Sequence, residues 1–330
     1  MRFPRRKFLH LAAGAAALPA ITRRAWARSF PTRPVTIIVP FAPGGGADVS
    51  ARIVGEYLSR TLGQRFVIEN FPGAGGTTGS IRNMRATPDG YTIQVGHIGT
   101  HAIAVWLYPQ PAYKPDVDFA PIGLIVVNPI LITARKDFPA TNLEQFVAYV
   151  RANAENLNMG HAGVGSIMFS FGLLLNSVLG VKPTLVPFNG GGPATTALLG
   201  GQIDYTCSVI TDVSPHVSSG LLKGYAIATN ERNAALPDVP TTKEAGLPEF
   251  KSAPWIGLFA PKGTPQPVLD DLSAALDQAL DDPEVRQRFF DLGGVVPEKA
   301  RRGQQALATL VKAEIARWEP IMKAADIKRS

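Results

Sequence analysis

The chain has 330 residues, 45% of them hydrophobic and 18% charged, with a formal net charge of +7 and a single cysteine, Cys207. One cysteine excludes an intrachain disulfide framework, so the fold must rest on its apolar core. The basic balance does not argue for nucleic-acid binding, because Arg2, Arg5, Arg6, Lys7, Arg23 and Arg24 all fall in the first 27 residues, which hold no acid. Without those six the charge falls to +1.

Those first residues read as a removable export segment. Arg5 and Arg6, followed by Lys7, Phe8 and Leu9, match the twin-arginine pattern, and Ala25-Trp26-Ala27 has the small-x-small form of a cleavage site. The apolar run from Leu11 to Ile21 falls short of the roughly 20 residues that span a bilayer. Residues 1–27 are therefore expected to be a twin-arginine signal peptide cut after Ala27, which places the mature chain in the periplasm. The remainder is long enough for a sizeable core and two lobes.

In chain order, Val35-Thr36-Ile37-Ile38-Val39 is the first predicted strand, and Val49, Ile53, Val54, Tyr57, Leu58 and Leu62 then recur at helical spacing up to Gly63. "RFVIEN" from Arg65 and "TIQVG" from Thr92 are the next strands, the latter after the Asp89-Gly90 turn. "ILITA" from Ile130, a helix from Asn142 to about Asn153, "NMGHA" from Asn158 and "TLVPF" from Thr184 form a second set. Ser166 to Leu179 is apolar nearly all round, which predicts a helix buried on several faces. Cys207 lies in a strand-like run from Ile203 to Ile210 and reads as a small core residue. "WIGLFAP" and two amphipathic helices, near Pro267 to Leu280 and Gln304 to Ala325, close the chain. Alternation of this kind predicts α/β architecture with largely parallel sheets. The extended runs Gly123 to Ala134 and Gly224 to Asn230 are the expected crossings between lobes.

Four glycine-rich loops stand out: "APGGGAD" at Ala42, "PGAGGTTGS" at Pro72, "GHAGVGS" at Gly160 and "FNGGGPA" at Phe188. None fits the dinucleotide fingerprint, because the sixth position is Val49 counted from Gly44 and Thr78 counted from Gly73. No Gly-Lys-Ser/Thr sequence exists for a P-loop. Each follows a predicted strand, and three precede a helix-like segment. Such turns place unpaired backbone N–H groups and the positive end of a helix dipole together, which suits an anion without any charged side chain.

Catalytic patterns are weaker. Ser166 in "GVGSI" lacks the second glycine of a nucleophile elbow. His97 and His101 are four apart but follow a strand with no zinc-hydrolase glutamate, so a polar or ligand-contacting role fits them better than metal ligation. No cofactor is expected.

"RPVTIIVPFAPGGGADVSAR", "GQRFVIENFPGAGGTTGS", "TPDGYT", "GTHAIA", "DFAPIG", "GVGS", "LVPFNGGGPA", "LLGGQID", "ERNAALPDVPTTKEAG" and "APKGTP" occur in this order over essentially the whole mature chain. Together they resemble the periplasmic solute-binding proteins of tripartite tricarboxylate transporters, the Bordetella uptake gene family. The resemblance implies a two-lobed, type II-like periplasmic-binding-protein fold with two mixed sheets flanked by helices and a hinge of two crossing strands. Residues 28–128 and 226–330 would form the first lobe and 129–225 the second.

It also implies a monomeric receptor, not an enzyme, that holds a small organic carboxylate in the interlobe cleft and passes it to membrane permease subunits. A ligand-sensing partner of a membrane kinase, or an exported hydrolase, are the alternatives. Carried over position by position, the ligand contacts would be Phe41, Ala42, Gly44 and Gly45, with Asp48 nearby, then Thr100, His101, Gly165, Ser166, Phe188, Asn189, Gly190 and Gly191. Where the family usually has an aromatic, commonly Tyr, followed by Lys, this chain has Phe188-Asn189, so a phenol and a positive charge are both missing. Asp48 is expected to cap its own helix or bond a ligand ammonium or hydroxyl, the cap being the better fit.

Overall fold

The computed structural model describes residues 30–107 and 112–324; the expected leader lies outside them. Two five-stranded mixed sheets each carry helices on their faces. In chain order the strands are β1 (Val35–Val39), β2 (Phe66–Asn70), β3 (Thr92–His97), β4 (Phe119–Val127), β5 (Ile130–Arg135), β6 (Asn158–His161), β7 (Thr184–Pro187), β8 (Tyr205–Val209), β9 (Leu222–Ile227) and β10 (Trp255–Pro261). The helices are α1 (Gly46–Leu62), α2 (Thr77–Met84), α3 (Ala104–Leu107), α4 (Pro115–Asp118), α5 (Leu143–Asn153), α6 (Ile167–Leu179), α7 (Gly191–Leu199), α8 (Ile210–Ser218), α9 (Gln266–Asp281), α10 (Pro283–Asp291) and α11 (Gly303–Ala324).

The first sheet has the order β2-β1-β3-β10-β4 and the second β7-β6-β8-β5-β9. Each contains a parallel trio, β2-β1-β3 or β7-β6-β8, extended by an antiparallel strand, β10 or β5. β1 reads as a continuous apolar run because helices cover both of its faces, leaving Val35, Ile37, Ile38 and Val39 fully buried. Burying each such side chain contributes about 1.5–3 kcal/mol. Helix α1 turns Ile53, Val54 and Leu58 onto this core and ends at Gly63, whose φ of 70° supplies the left-handed C-cap.

Helix α6 buries Ile167, Met168, Phe169, Phe171 and Leu175 on several faces, as its all-round apolar sequence predicts. The C-terminal α11, whose described side chains end at Met322, packs against it, with Trp318 edge-on to Phe171 at 5.4 Å.

The first sheet passes to the second at Asn128-Pro129, between β4 and β5. The return differs from the sequence reading, since β9 occupies most of Gly224 to Asn230 and belongs to the second sheet; the chain crosses back between residues 228 and 254. The proline-rich connector on that route tucks Leu236 and Val239 into the second sheet's core. Helix α10 was not singled out by periodicity; Asp282 caps it by accepting from Glu284 N and Val285 N.

Candidate functional site

The four glycine-rich loops sit at the ends of β1, β2, β6 and β7 and meet in pairs between the sheets. The β1–α1 loop faces the β7–α7 loop: Ala42 N donates to Asn189 O at 2.9 Å, and a Cβ on Gly45 would lie 3.2 Å from Gly192 N. The β2–α2 loop faces the β6–α6 loop just as closely, because a Cβ on Gly75 would lie 1.7 Å from Val164 O. No other residue fits at Gly75 with the lobes in this position, and its φ of 60° also favours glycine.

Between the paired loops is a cavity of about 40 Å³, room for roughly three water-sized groups. Its walls come from the starts of four helices: Gly45 to Asp48 of α1, Ser166 to Met168 of α6, Gly191 of α7, and Val209 with Asp212 of α8. Phe41, His97, Ala162 and Ile256 complete it, and no lysine or arginine lines it. Each helix N-terminus leaves backbone N–H groups without helical acceptors and carries about half a positive charge, so the cavity favours an anion or an electron-rich oxygen.

Of the thirteen residues expected at the site, Phe41, Gly45, Asp48, Ser166 and Gly191 line this cavity. Ala42, Gly44, Asn189 and Gly190 lie beside it where the two loops touch, and Gly165 abuts Gly99 of the first lobe through its carbonyl. Phe188 is half-buried against Phe41, Ala162, Met168 and Ala194. Thr100 and His101 do not line the cavity. A π turn over Gly99–Ile103 carries them into the core, where His101 stacks on Phe259 at 4.0 Å and bonds Gln94 and Thr100.

The side chains have distinct duties. Asp48 is the third residue of α1 and not its N-cap, which is Gly45; its carboxylate reaches back to Gly44 N at 3.0 Å and is gripped by Arg52 and Asn70. Burial pushes this carboxyl upward, but the bonds from Arg52, Gly44 and Asn70 together hold it below its ordinary range. Ser166 caps α6, its Oγ accepting from Phe169 N at 3.1 Å. Among the described residues no histidine is hydrogen-bonded to Ser166.

Nine of the fourteen lining residues lay outside the thirteen expected, and two of those, His97 and Asp212, are titratable. His97 is buried and stacked on Phe41 at 5.0 Å; desolvation holds it neutral, with a pKa lowered to about 3. Asp212, in the first turn of α8, accepts from Gly46 N across the cleft, and burial raises its carboxyl to about 7. Among the described residues no group of histidines, cysteines and acids is placed to hold a metal ion, and no helix is long and apolar enough to cross a membrane.

Residues 50–327 match the model of the tripartite tricarboxylate transporter family receptor. The chain belongs to that receptor family. A solved structure of MatC (Rpa3494) from Rhodopseudomonas palustris with bound malate is 49% identical, covers 89% of this receptor and all of the MatC chain, and superposes with a TM-score of 0.86. The periplasmic binding protein BugD is 40% identical with a TM-score of 0.87, over 90% of this receptor and 99% of BugD. A curated relative from Agrobacterium vitis, the UPF0065 protein in the TAR-I ttuE-ttuC' intergenic region, is 43% identical over 90% of this receptor and 86% of its own length. Fold and family thus agree with the order of motifs in the sequence.

Proposed function

We propose that this chain is an extracytoplasmic receptor that captures a small organic carboxylate between its lobes and delivers it to the membrane permease subunits of a tripartite tricarboxylate transporter. The observation that carries this reading is the convergence of four helix N-termini, drawn from both sheets, on one cavity without a lysine or arginine. A single carboxylate group, three heavy atoms, suits that volume. The likeness to MatC with malate supports a carboxylate ligand, and the likeness to BugD supports a periplasmic location. The twin-arginine leader, read from Arg5 and Arg6, supplies the export route.

A buried carboxylate is costly unless its oxygens are hydrogen-bonded. Each charge-assisted bond contributes about 1.5–3 kcal/mol, so three or four, less immobilisation and closure, leave about 8 kcal/mol, a micromolar dissociation constant. Ligand touching both walls binds the closed state better than the open one, which makes closure a population shift that a permease can read. A thermal-shift panel of mono- and dicarboxylates on the mature chain tests the reading. An acid at about 100 times its dissociation constant should stabilise the protein by about 2.7 kcal/mol. If malate, succinate and the rest of the panel leave the melting point unmoved, the carboxylate assignment fails.

A further inference from the structure

We propose that His97 is a ligand-binding residue, a neutral imidazole locked with its proton on Nε2, whose Nε2–H donates to an oxygen of the acid held in the cleft. This rests on the carboxylate reading above and adds to it a side-chain donor outside the glycine-rich loops.

The tautomer follows from the neighbours of the other ring nitrogen. His97 Nδ1 receives Gly99 N at 2.9 Å and Thr100 N at 3.2 Å. Backbone amides can only donate and cannot flip as a side-chain amide can, so Nδ1 must be the acceptor and the proton sits on Nε2. The amides are held in place by the turn itself. Thr100 Oγ1 accepts from His97 N at 3.1 Å and returns its hydroxyl proton to His97 O at 3.2 Å. Gly99 is pressed against the ring and against Gly165 O, so the turn has no room to move while the lobes are together.

The Nδ1 edge therefore faces the turn, and the opposite edge, carrying Nε2, is left to the cavity that His97 lines. Among the described residues no group accepts from Nε2. Phe41, stacked on the ring at 5.0 Å, fixes its plane. The result is a side-chain donor of set direction beside the backbone amides of the helix starts that line the same cavity. Because the ring is fully desolvated it stays uncharged over the physiological range, so it contributes a directed bond and no counter-charge. An acid carried in this site meets at least one side-chain donor, and the ligands the site takes must present an oxygen at that point.

Nitrogen-15 NMR of histidine-labelled mature protein, titrated with malate and in parallel with succinate and adipate, tests this. His97 should show the Nε2–H pattern in the free protein, and its Nε2 resonance should move on saturation. His97→Asn is the matching variant, since its Oδ1 can still accept from the turn amides while nothing reaches the Nε2 position. It should keep a melting point near that of the parent and lose about 10- to 100-fold in affinity for the acid that binds, the range of a hydrogen bond to a charged group. An Nδ1–H tautomer, an Nε2 resonance that does not move at saturation, or an His97→Asn protein that binds as tightly as the parent overturns the assignment while leaving the carboxylate reading intact. A parent protein that binds none of the three acids, nor any other acid of the panel above, removes the carboxylate reading and this assignment together.

Discussion

Asp48 on the first-lobe wall and Asp212 on the second-lobe wall line the same cavity, yet their surroundings are opposite. Every partner of Asp48 belongs to its own lobe: Gly44, Arg52 and Asn70. Asp212 has Gly46 N, which belongs to the other lobe. Asp48 is thus part of the scaffold whether the cleft is open or shut, whereas the Asp212 bond exists only with the lobes together. A carboxyl beside a site for acids is tolerable when its charge is neutralised, as at Asp48, or when it holds a proton, as burial favours at Asp212.

The largest effect expected comes from denying the two walls their contact. Gly45 has extended backbone, with φ −91° and ψ 168°, and Gly190 is extended likewise, so a side chain at either strains nothing locally. A Cβ at Gly190 would lie 3.0 Å from Ala42 N. Gly45→Leu and Gly190→Leu should each abolish acid binding by calorimetry while the ligand-free chain melts near the parent's temperature. Undiminished affinity would mean the cleft is misplaced.

Next is the pH dependence of Asp212. Its folded pKa of about 7 lies above the ordinary 3.8, so between those values the closed form holds a proton that the unfolded chain has lost. Stability conferred on the closed form therefore falls as pH rises through that window, by at most about 4 kcal/mol, since opening readmits water. Asp212→Asn should flatten the slope of melting temperature between pH 4 and 7 and raise stability at pH 8. An unchanged slope contradicts the buried, proton-holding Asp212.

Asp48 has the opposite sign. Its lowered pKa gives stability that is present above the ordinary value and lost as pH falls through the folded one. Asp48→Asn should cost roughly 1 kcal/mol at neutral pH, allowing for the half-exposed Arg52, and nothing in strong acid. Chemical denaturation at two pH values measures this. Smallest is Ser166→Ala, which removes the α6 cap at a cost of about 1 kcal/mol. Product formed from any ester by the parent chain and lost in this variant would revive a hydrolase.

The strands, the buried α6 and the four glycine-rich loops were legible because each has a local signature: a β-branched run, an all-round apolar helix, a turn that needs glycine. The pairing of the loops was not, since it depends on how two sheets meet. His97 and His101 show the limit well. They share one motif, but the π turn sends His101 into the core and leaves His97 at the cavity, a register that spacing alone does not reveal. Asp212 was missed because its strand-to-helix turn, Val209 to Asp212, contains no glycine, although an acid just inside a helix that follows a strand was a signal available for reading. The return crossing was displaced for a similar reason, since only its pairing with β5 shows that β9 belongs to the second sheet.

The most direct test is a crystal structure of the mature chain grown with malate. It should show one carboxylate between the lobes, with its oxygens within about 3.2 Å of first-turn amides from α1 and from α6 or α7. Malate bound to one lobe alone, or held by lysine or arginine side chains at another place on the surface, would contradict the account.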